Sequence, residues 1–276
     1  MFEYTRCNLC NQDRTKVIWQ EPPYRIVRCQ NCGLIYLNPR PEAKELVQLY
    51  SREYFTNYYL KNREERIVYF QRRLEEIEEF KKGESLLDIG CGVGFFLKVA
   101  QEFGWQVEGV EPSPFAVRFA RTQYGLRVFQ GELKEANFSS NFFDLITMWD
   151  VLGHLSNPMG YLKEAFHLLK RGGVIVLKVP HYYQAIFLLA RFVSHFTRAK
   201  GILHLPVQIY HFTPRILTKM VEKAGFRVLK IKGPDEVITS RYAKGFLKNL
   251  AMVSFLKLFK LLGKRESFIL YATKQS

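Results

Sequence analysis

Residues 84–94 constrain this chain more than any other stretch. The apolar run Ser85-Leu86-Leu87-Asp88-Ile89 leads into Gly90, Gly92 and Gly94 at alternate positions. Phe95-Phe96-Leu97-Lys98-Val99-Ala100 follows, with apolar spacing that suits a helix. The order predicts a strand, a tight turn and a helix N-terminus. Glycines let the backbone adopt positive φ and approach a ligand closely, and the helix start offers unpaired N–H groups. A nucleotide-like ligand fits such a place, although dinucleotide sites use a related glycine turn and the turn alone decides nothing.

The residues downstream decide more. Residues 106–110 read as a second strand that ends at Glu111, 21 positions after Gly90. A carboxylate at a second strand end can accept both hydroxyls of an adenosine ribose through charge-assisted bonds. The segments Asp88-Ile89-Gly90-Cys91-Gly92-Val93-Gly94 and Gly109-Val110-Glu111-Pro112 together resemble class I S-adenosylmethionine-dependent methyltransferases. They are also similar to the branch of that family with a cysteine ribbon in front, and the resemblance extends over nearly the whole chain. It implies an α/β fold, a Rossmann-like seven-stranded sheet, with S-adenosylmethionine as cofactor. The implied cofactor contacts are Asp88, Gly90, Gly92, Glu111 and Asp150. Glu132 would face the adenine amino group, and the backbone N–H of Leu133 a ring nitrogen. An NAD-dependent dehydrogenase is a poorer match, because the glycine spacing departs from its fingerprint.

Cys7-x2-Cys10 and Cys29-x2-Cys32 are separated by a gap of hairpin length. Each pair can place two thiolates on one side of a tetrahedral Zn²⁺. Two disulfides are the alternative, but the first ten residues have no apolar core of a signal peptide, and a chain kept inside the cell holds its thiols reduced. A closed, structural zinc site in a cytoplasmic protein is the expectation.

The domain reading is a ribbon over 1–37, a helical linker over 38–82, and a methyltransferase domain over 83–276 with an insertion at 234–265. Within the linker, Tyr50, Tyr54, Phe55, Tyr58 and Tyr59 either form a lid over the cofactor or pack the linker onto the core. Residues 62–82 read as an amphipathic helix with Ile67, Phe70, Leu74, Ile77 and Phe80 on its stripe and its charges in solvent. Ser113-Pro114 and Thr213-Pro214 read as helix starts. Residues 158–171 are expected to be helical, with Gly172-Gly173 ending the helix before a strand over 174–179.

His154 follows the fourth strand, 143–150, at the expected reaction centre. It is either a base that removes a hydroxyl proton or a residue that orders the loop. Relatives often carry Glu-His where this chain has Gly153-His154, so a carboxylate for metal-assisted transfer is missing. His181 is a weaker candidate for a substrate contact. The resemblance and these residues point to methylation, with O-methylation expected, of a small-molecule, sugar or lipid-linked acceptor. An RNA methyltransferase and a non-catalytic binding protein are the alternatives.

Charge is unevenly spread. Residues 1–164 hold 21 basic and 22 acidic side chains, and residues 165–276 hold 20 and 4. Such asymmetry points to an anionic partner. Residues 241–265 mix seven basic residues with many apolar ones and no acidic one. They suit either a helix at an anionic membrane interface or a core helix with a basic edge. Nucleic acid is the weaker partner, because the ribbon half carries no net positive charge.

Overall fold

The computed structural model describes residues 2–80, 83–181, 205–233 and 267–275. The stretch 241–265, singled out above for its composition, and the whole insertion expected at 234–265 lie outside the described residues.

Strands β1 (Phe2–Glu3), β2 (Thr15–Glu21), β3 (Tyr24–Cys29), β4 (Ile35–Leu37) and β5 (Arg40–Pro41) come first. Helices α1 (Ala43–Gln48), α2 (Arg52–Tyr58) and α3 (Arg63–Glu78) follow. The next elements are β6 (Ser85–Ile89), α4 (Phe95–Glu102), β7 (Gln106–Glu111), α5 (Pro114–Tyr124), β8 (Val128–Gln130) and β9 (Phe143–Trp149). The described chain ends with α6 (Pro158–Leu168), β10 (Leu169–Pro180), β11 (Tyr210–His211), α7 (Pro214–Lys223), β12 (Arg227–Lys232) and β13 (Ser267–Thr273).

Seven strands form one sheet in the order β12-β13-β10-β9-β6-β7-β8. All pairings from β10 to β8 are parallel, and β13 runs antiparallel to both its neighbours. Strand β6 lies between β9 and β7, so the chain leaves it toward one edge and later returns to the other side. Ligands of open α/β sheets bind beyond the strand C-termini at such a switch. The central strands read as apolar runs because both faces are covered. Leu86, Leu145, Val174 and Val176 pack under α3 and α4, whereas Leu87, Ile146, Ile175 and Leu177 pack under α6 and α7.

Helix α3 buries Phe70, Leu74 and Ile77 as its stripe predicts. Not all of its charges are solvated, however. Arg66 and Arg73 are buried: Arg66 lies over the Tyr59 ring at 4.0 Å, and Arg73 pairs with Glu76 at 3.1 Å. Helix α6 stops at Leu168, three residues before the expected end. Leu169 is already extended (φ −74°, ψ 138°) and pairs with Phe143, so β10 starts early and carries an irregularity before Val174.

The ribbon is not closed by its own residues. Its sheet runs β11-β4-β3-β2, and β11 comes from the far side of the chain, pairing Tyr210 with Tyr36 and His211 with Ile35. Cys7, Leu9, Ile26 and Tyr36 share one apolar core with α6 and α7.

Candidate active site

Strand β6 ends in a turn where Gly90 (φ 71°) and Gly92 (φ 54°) take left-handed conformations that disfavour a side chain. A Cβ on Gly90 would stand 2.5 Å from Val151, and one on Gly92 would stand 3.4 Å from the Phe55 ring. The backbone therefore forms the floor of a cavity of about 420 Å³. Glu111, Trp149, Asp150 and His154 line it from the sheet side, and Tyr50, Tyr54, Phe55 and Tyr59 cover it. Phe55 is packed into the core, and Tyr50, Tyr54 and Tyr59 line the cavity beside it.

Glu111 spans the turn. Its Oε2 accepts the Gly92 N–H and its Oε1 the Ser113 N–H, both at 3.0 Å. Two bonds leave further lone pairs on the same carboxylate for ribose hydroxyls. Burial pushes its pKa up to about 7, against the pull of the two N–H groups. Ser113 starts α5 as expected but does not cap it. Its hydroxyl donates to the Tyr50 carbonyl at 2.9 Å, fastening the covering segment to the Glu111 loop.

Asp88 is buried beneath the turn and does not line the cavity. The Thr147 hydroxyl donates to it across the β6–β9 pair at 2.6 Å. Burial first, and the Glu111 charge after it, raise its pKa to about 8, opposed by the Thr147 bond. Asp150 reaches the wall from a left-handed backbone (φ 59°) and pairs with Lys178. Positive φ at a non-glycine residue concentrates at functional sites. Glu132 also lines the cavity, where its carboxylate caps the backbone three residues on and accepts the Tyr161 hydroxyl. The Leu133 side chain is buried behind it.

His154 stands on the wall with its Nδ1 3.0 Å from the Val207 carbonyl. A carbonyl only accepts, so Nδ1 carries the proton and Nε2 is the basic nitrogen of the neutral ring. Gly153 has a steric reason. A Cβ there would lie 2.2 Å from Gln208 Nε2 and 3.0 Å from the Tyr210 carbonyl, so a glutamate at 153 has no room. His181 is not brought to the cavity. It bridges Phe212 and packs edge-on against Phe268, and Pro180 lines the wall in its stead.

Sequence reasoning missed Tyr161, Gln208 and Lys178. The lysine had a signal, since a charge inside the apolar strand 174–179 calls for a buried partner. Tyr161 and Gln208 had none, because α6 and the 205–209 segment meet the cavity only through the fold.

Cys7, Cys10, Cys29 and Cys32 gather with all four sulfurs within 4.8 Å of one another. The closest pairs, Cys7–Cys32 at 3.4 Å and Cys10–Cys29 at 3.5 Å, are far longer than a disulfide bond. Among the described residues this is the one such cluster of potential metal ligands.

The cavity lies at the C-terminal edge of a seven-stranded sheet of the methyltransferase type, and the comparisons with known proteins agree on the fold. A family model described as "Methyltransferase domain" matches residues 59–231, and the chain belongs to that family. It is an S-adenosylmethionine-dependent methyltransferase. The ubiquinone biosynthesis O-methyltransferase of Xanthomonas axonopodis pv. citri is 27% identical over 61% of this chain and 71% of its own length. Its namesake from Coxiella burnetii is 28% identical over 58% and 72%. Among solved structures, a SAM-dependent methyltransferase from Archaeoglobus fulgidus shares the fold with TM-score 0.56 and 21% identity, over 79% of this chain and 99% of that one.

The cavity fits S-adenosylmethionine on this chain's own features: a floor that a Cβ would obstruct, and a buried carboxylate with unused acceptor sites beside it.

Proposed function

We propose that this methyltransferase methylates a hydroxyl oxygen of a small-molecule or lipid-linked acceptor, with His154 as the base. The observation that carries the reading is the placement of His154, its Nδ1 held by Val207 and its ring on the cavity wall. S-adenosylmethionine supplies an electrophilic methyl group on a sulfonium. The chain's part is to hold the acceptor hydroxyl in line, exclude water with the tyrosine cover, and take the hydroxyl proton on His154 Nε2. The relatives named O-methyltransferases support oxygen as the methylated atom.

Ala43, Leu46, Val47, Leu155 and Leu205 also line the cavity. These apolar walls suit the hydrocarbon part of an acceptor, and the basic excess of residues 165–276 suits an anionic group on it. No helix among the described residues is long and apolar enough to cross a membrane. We place the protein in the cytoplasm, with residues 241–265 as a peripheral contact to an anionic membrane.

The four cysteines are assigned to a structural Zn²⁺. A tetrahedral site with Zn–S bonds of about 2.3 Å has sulfur–sulfur edges of about 3.8 Å, within the spread of distances found here. Four protein ligands leave no open position for chemistry. Metal analysis of protein purified without added zinc should give about one zinc per chain. A zinc-free protein with the cysteines in disulfides excludes the assignment.

The reaction is tested with methyl-labelled S-adenosylmethionine and separate lipid and aqueous extracts of cells. Label that enters the lipid extract and is released as methyl iodide by hot concentrated hydriodic acid, below the temperature that cleaves N-methyl groups, supports O-methylation of a lipid-linked acceptor. Label that resists this cleavage means methyl transfer to nitrogen or carbon and contradicts the reading.

A further inference from the structure

Three separate fasteners join the cysteine ribbon to the loop that carries His154. The first is the ribbon sheet itself. Leu37 donates its N–H to the Ile209 carbonyl at 2.8 Å, and Tyr36 pairs with Tyr210. The strand so held points its Ile209 and Tyr210 N–H groups at the Gly153 carbonyl, both at 2.9 Å, and the preceding Val207 carbonyl holds His154 Nδ1.

The second fastener is Arg40 on β5. It is buried, and its Nη1 donates to the Ser156 carbonyl at 2.6 Å and to the Tyr210 hydroxyl at 3.0 Å, while Nε pairs with Glu3. A guanidinium serves three acceptors at fixed angles, so it locks strand, loop and ribbon in one geometry.

The third is Asn8, which sits between the metal-ligating candidates Cys7 and Cys10. Its Nδ2 donates to Asn157 Oδ1 at 2.9 Å, and its Oδ1 accepts the Met159 N–H at 2.8 Å. Asn157 is the N-cap of α6, so Asn8 satisfies an orphan donor in the first turn of that helix and steadies its cap. The knuckle residue Leu9 is also tied, its carbonyl accepting Lys223 Nζ at 2.7 Å.

We infer that the ribbon, without lining the cavity itself, braces the loop that forms the cavity wall, and that Asn8 and Arg40 are positioning residues that fix residues 153–159 and, through Val207, the tautomer of His154. A knuckle held by metal fixes Asn8; a collapsed knuckle releases it. Among the described residues the hydrogen bonds of Glu111 run to Gly92 and Ser113 and not to the ribbon, so the cofactor half of the site is expected to be largely independent of it. The inference rests on the reading of His154 as the base only for its catalytic consequence. The positioning is measurable without turnover.

The test uses the full chain with its metal, the same protein after treatment with a zinc chelator, and the variants Asn8→Ala and Arg40→Gln. Histidine ring nitrogen NMR reads the His154 tautomer, with His154→Gln assigning the signal. Amide exchange reads residues 151–159, and calorimetry with S-adenosylhomocysteine reads the cofactor half. Loss of the metal or of either side chain should speed exchange in 151–159 by about tenfold or more and remove the Nδ1–H preference of His154. S-adenosylhomocysteine affinity should change less than about threefold, since its contacts are untouched. Arg40→Gln keeps the test decisive if Asn8→Ala also loses metal, because Arg40 bonds to Glu3, Ser156 and Tyr210 and not to the cysteine knuckles. Unchanged tautomer and exchange in chelator-treated protein whose ribbon amides have lost protection would overturn the inference. If His154→Ala retains full methyl transfer while the tautomer still follows the ribbon, the base assignment fails and the positioning stands.

Discussion

The carboxylate of Glu111 accepts the backbone N–H of Gly92 at 3.0 Å, closing the glycine turn against the end of the neighbouring strand. The bond does two things together. It fixes the left-handed turn that forms the cavity floor, and it holds a buried carboxylate at the cavity wall.

Burial raises the pKa of Glu111 from 4.5 to about 7 and that of Asp88 from 3.8 to about 8. The folded protein thus keeps protons that the unfolded chain has lost. Apo stability should fall as pH rises from about 4 to about 8 and level off above that. Ribose hydroxyls favour the ionised carboxylate, so cofactor affinity should move the other way and rise between pH 6 and 8, by up to about tenfold per pH unit below the Glu111 pKa. Thermal melts with and without S-adenosylhomocysteine across this range check both slopes. A ligand-induced stabilisation that shrinks with rising pH contradicts the assignment.

His154→Ala should lower turnover by about 100-fold or more and leave cofactor affinity within a factor of about three. Equal losses in both would make the residue a support of the loop rather than a base.

Gly153→Ala tests the close approach of the loop to the 207–210 strand. A Cβ that meets Gln208 and the Tyr210 carbonyl should cost about 1–3 kcal/mol of stability, read as a lower midpoint in urea with an unchanged slope. A neutral effect would mean that the strand yields easily there.

How much of this was legible in the sequence follows from where the information lies. The β6 turn and Glu111 at the end of β7 are local patterns, and the structure matches them closely. The ribbon cysteines are local too, since each knuckle is a four-residue unit. The return of residues 210–211 to complete the ribbon sheet was not legible, because strand pairing across more than 170 residues leaves no periodic trace. Ser113 shows the same limit at small scale: the residue type is right for a cap, but a carbonyl brought in by the linker, that of Tyr50, takes its hydroxyl. Arg66 reads as solvated because nothing in the sequence shows that it would lie over Tyr59, and Arg73 because its i,i+3 pairing with Glu76 is visible in the sequence but its burial is not.

The membrane proposal predicts flotation with liposomes that contain anionic lipid, weakened by salt because the attraction is screened. Changing Lys257, Lys260 and Lys264 to glutamate should abolish most of it, and Phe255→Ser with Phe259→Ser should weaken it as well, since insertion needs apolar area. Indifference to both sets of changes contradicts a membrane role for 241–265.

The central claim, that the glycine floor and Glu111 form the cofactor site, is tested most directly by calorimetry. S-adenosylmethionine should bind one per chain, with little affinity for NAD. Glu111→Ala should weaken it by about 1.5–3 kcal/mol, the loss of hydrogen bonds to a charged group, and methyl transfer should fall with it. An unchanged affinity in Glu111→Ala, or NAD binding as tight as that of S-adenosylmethionine, would contradict the account.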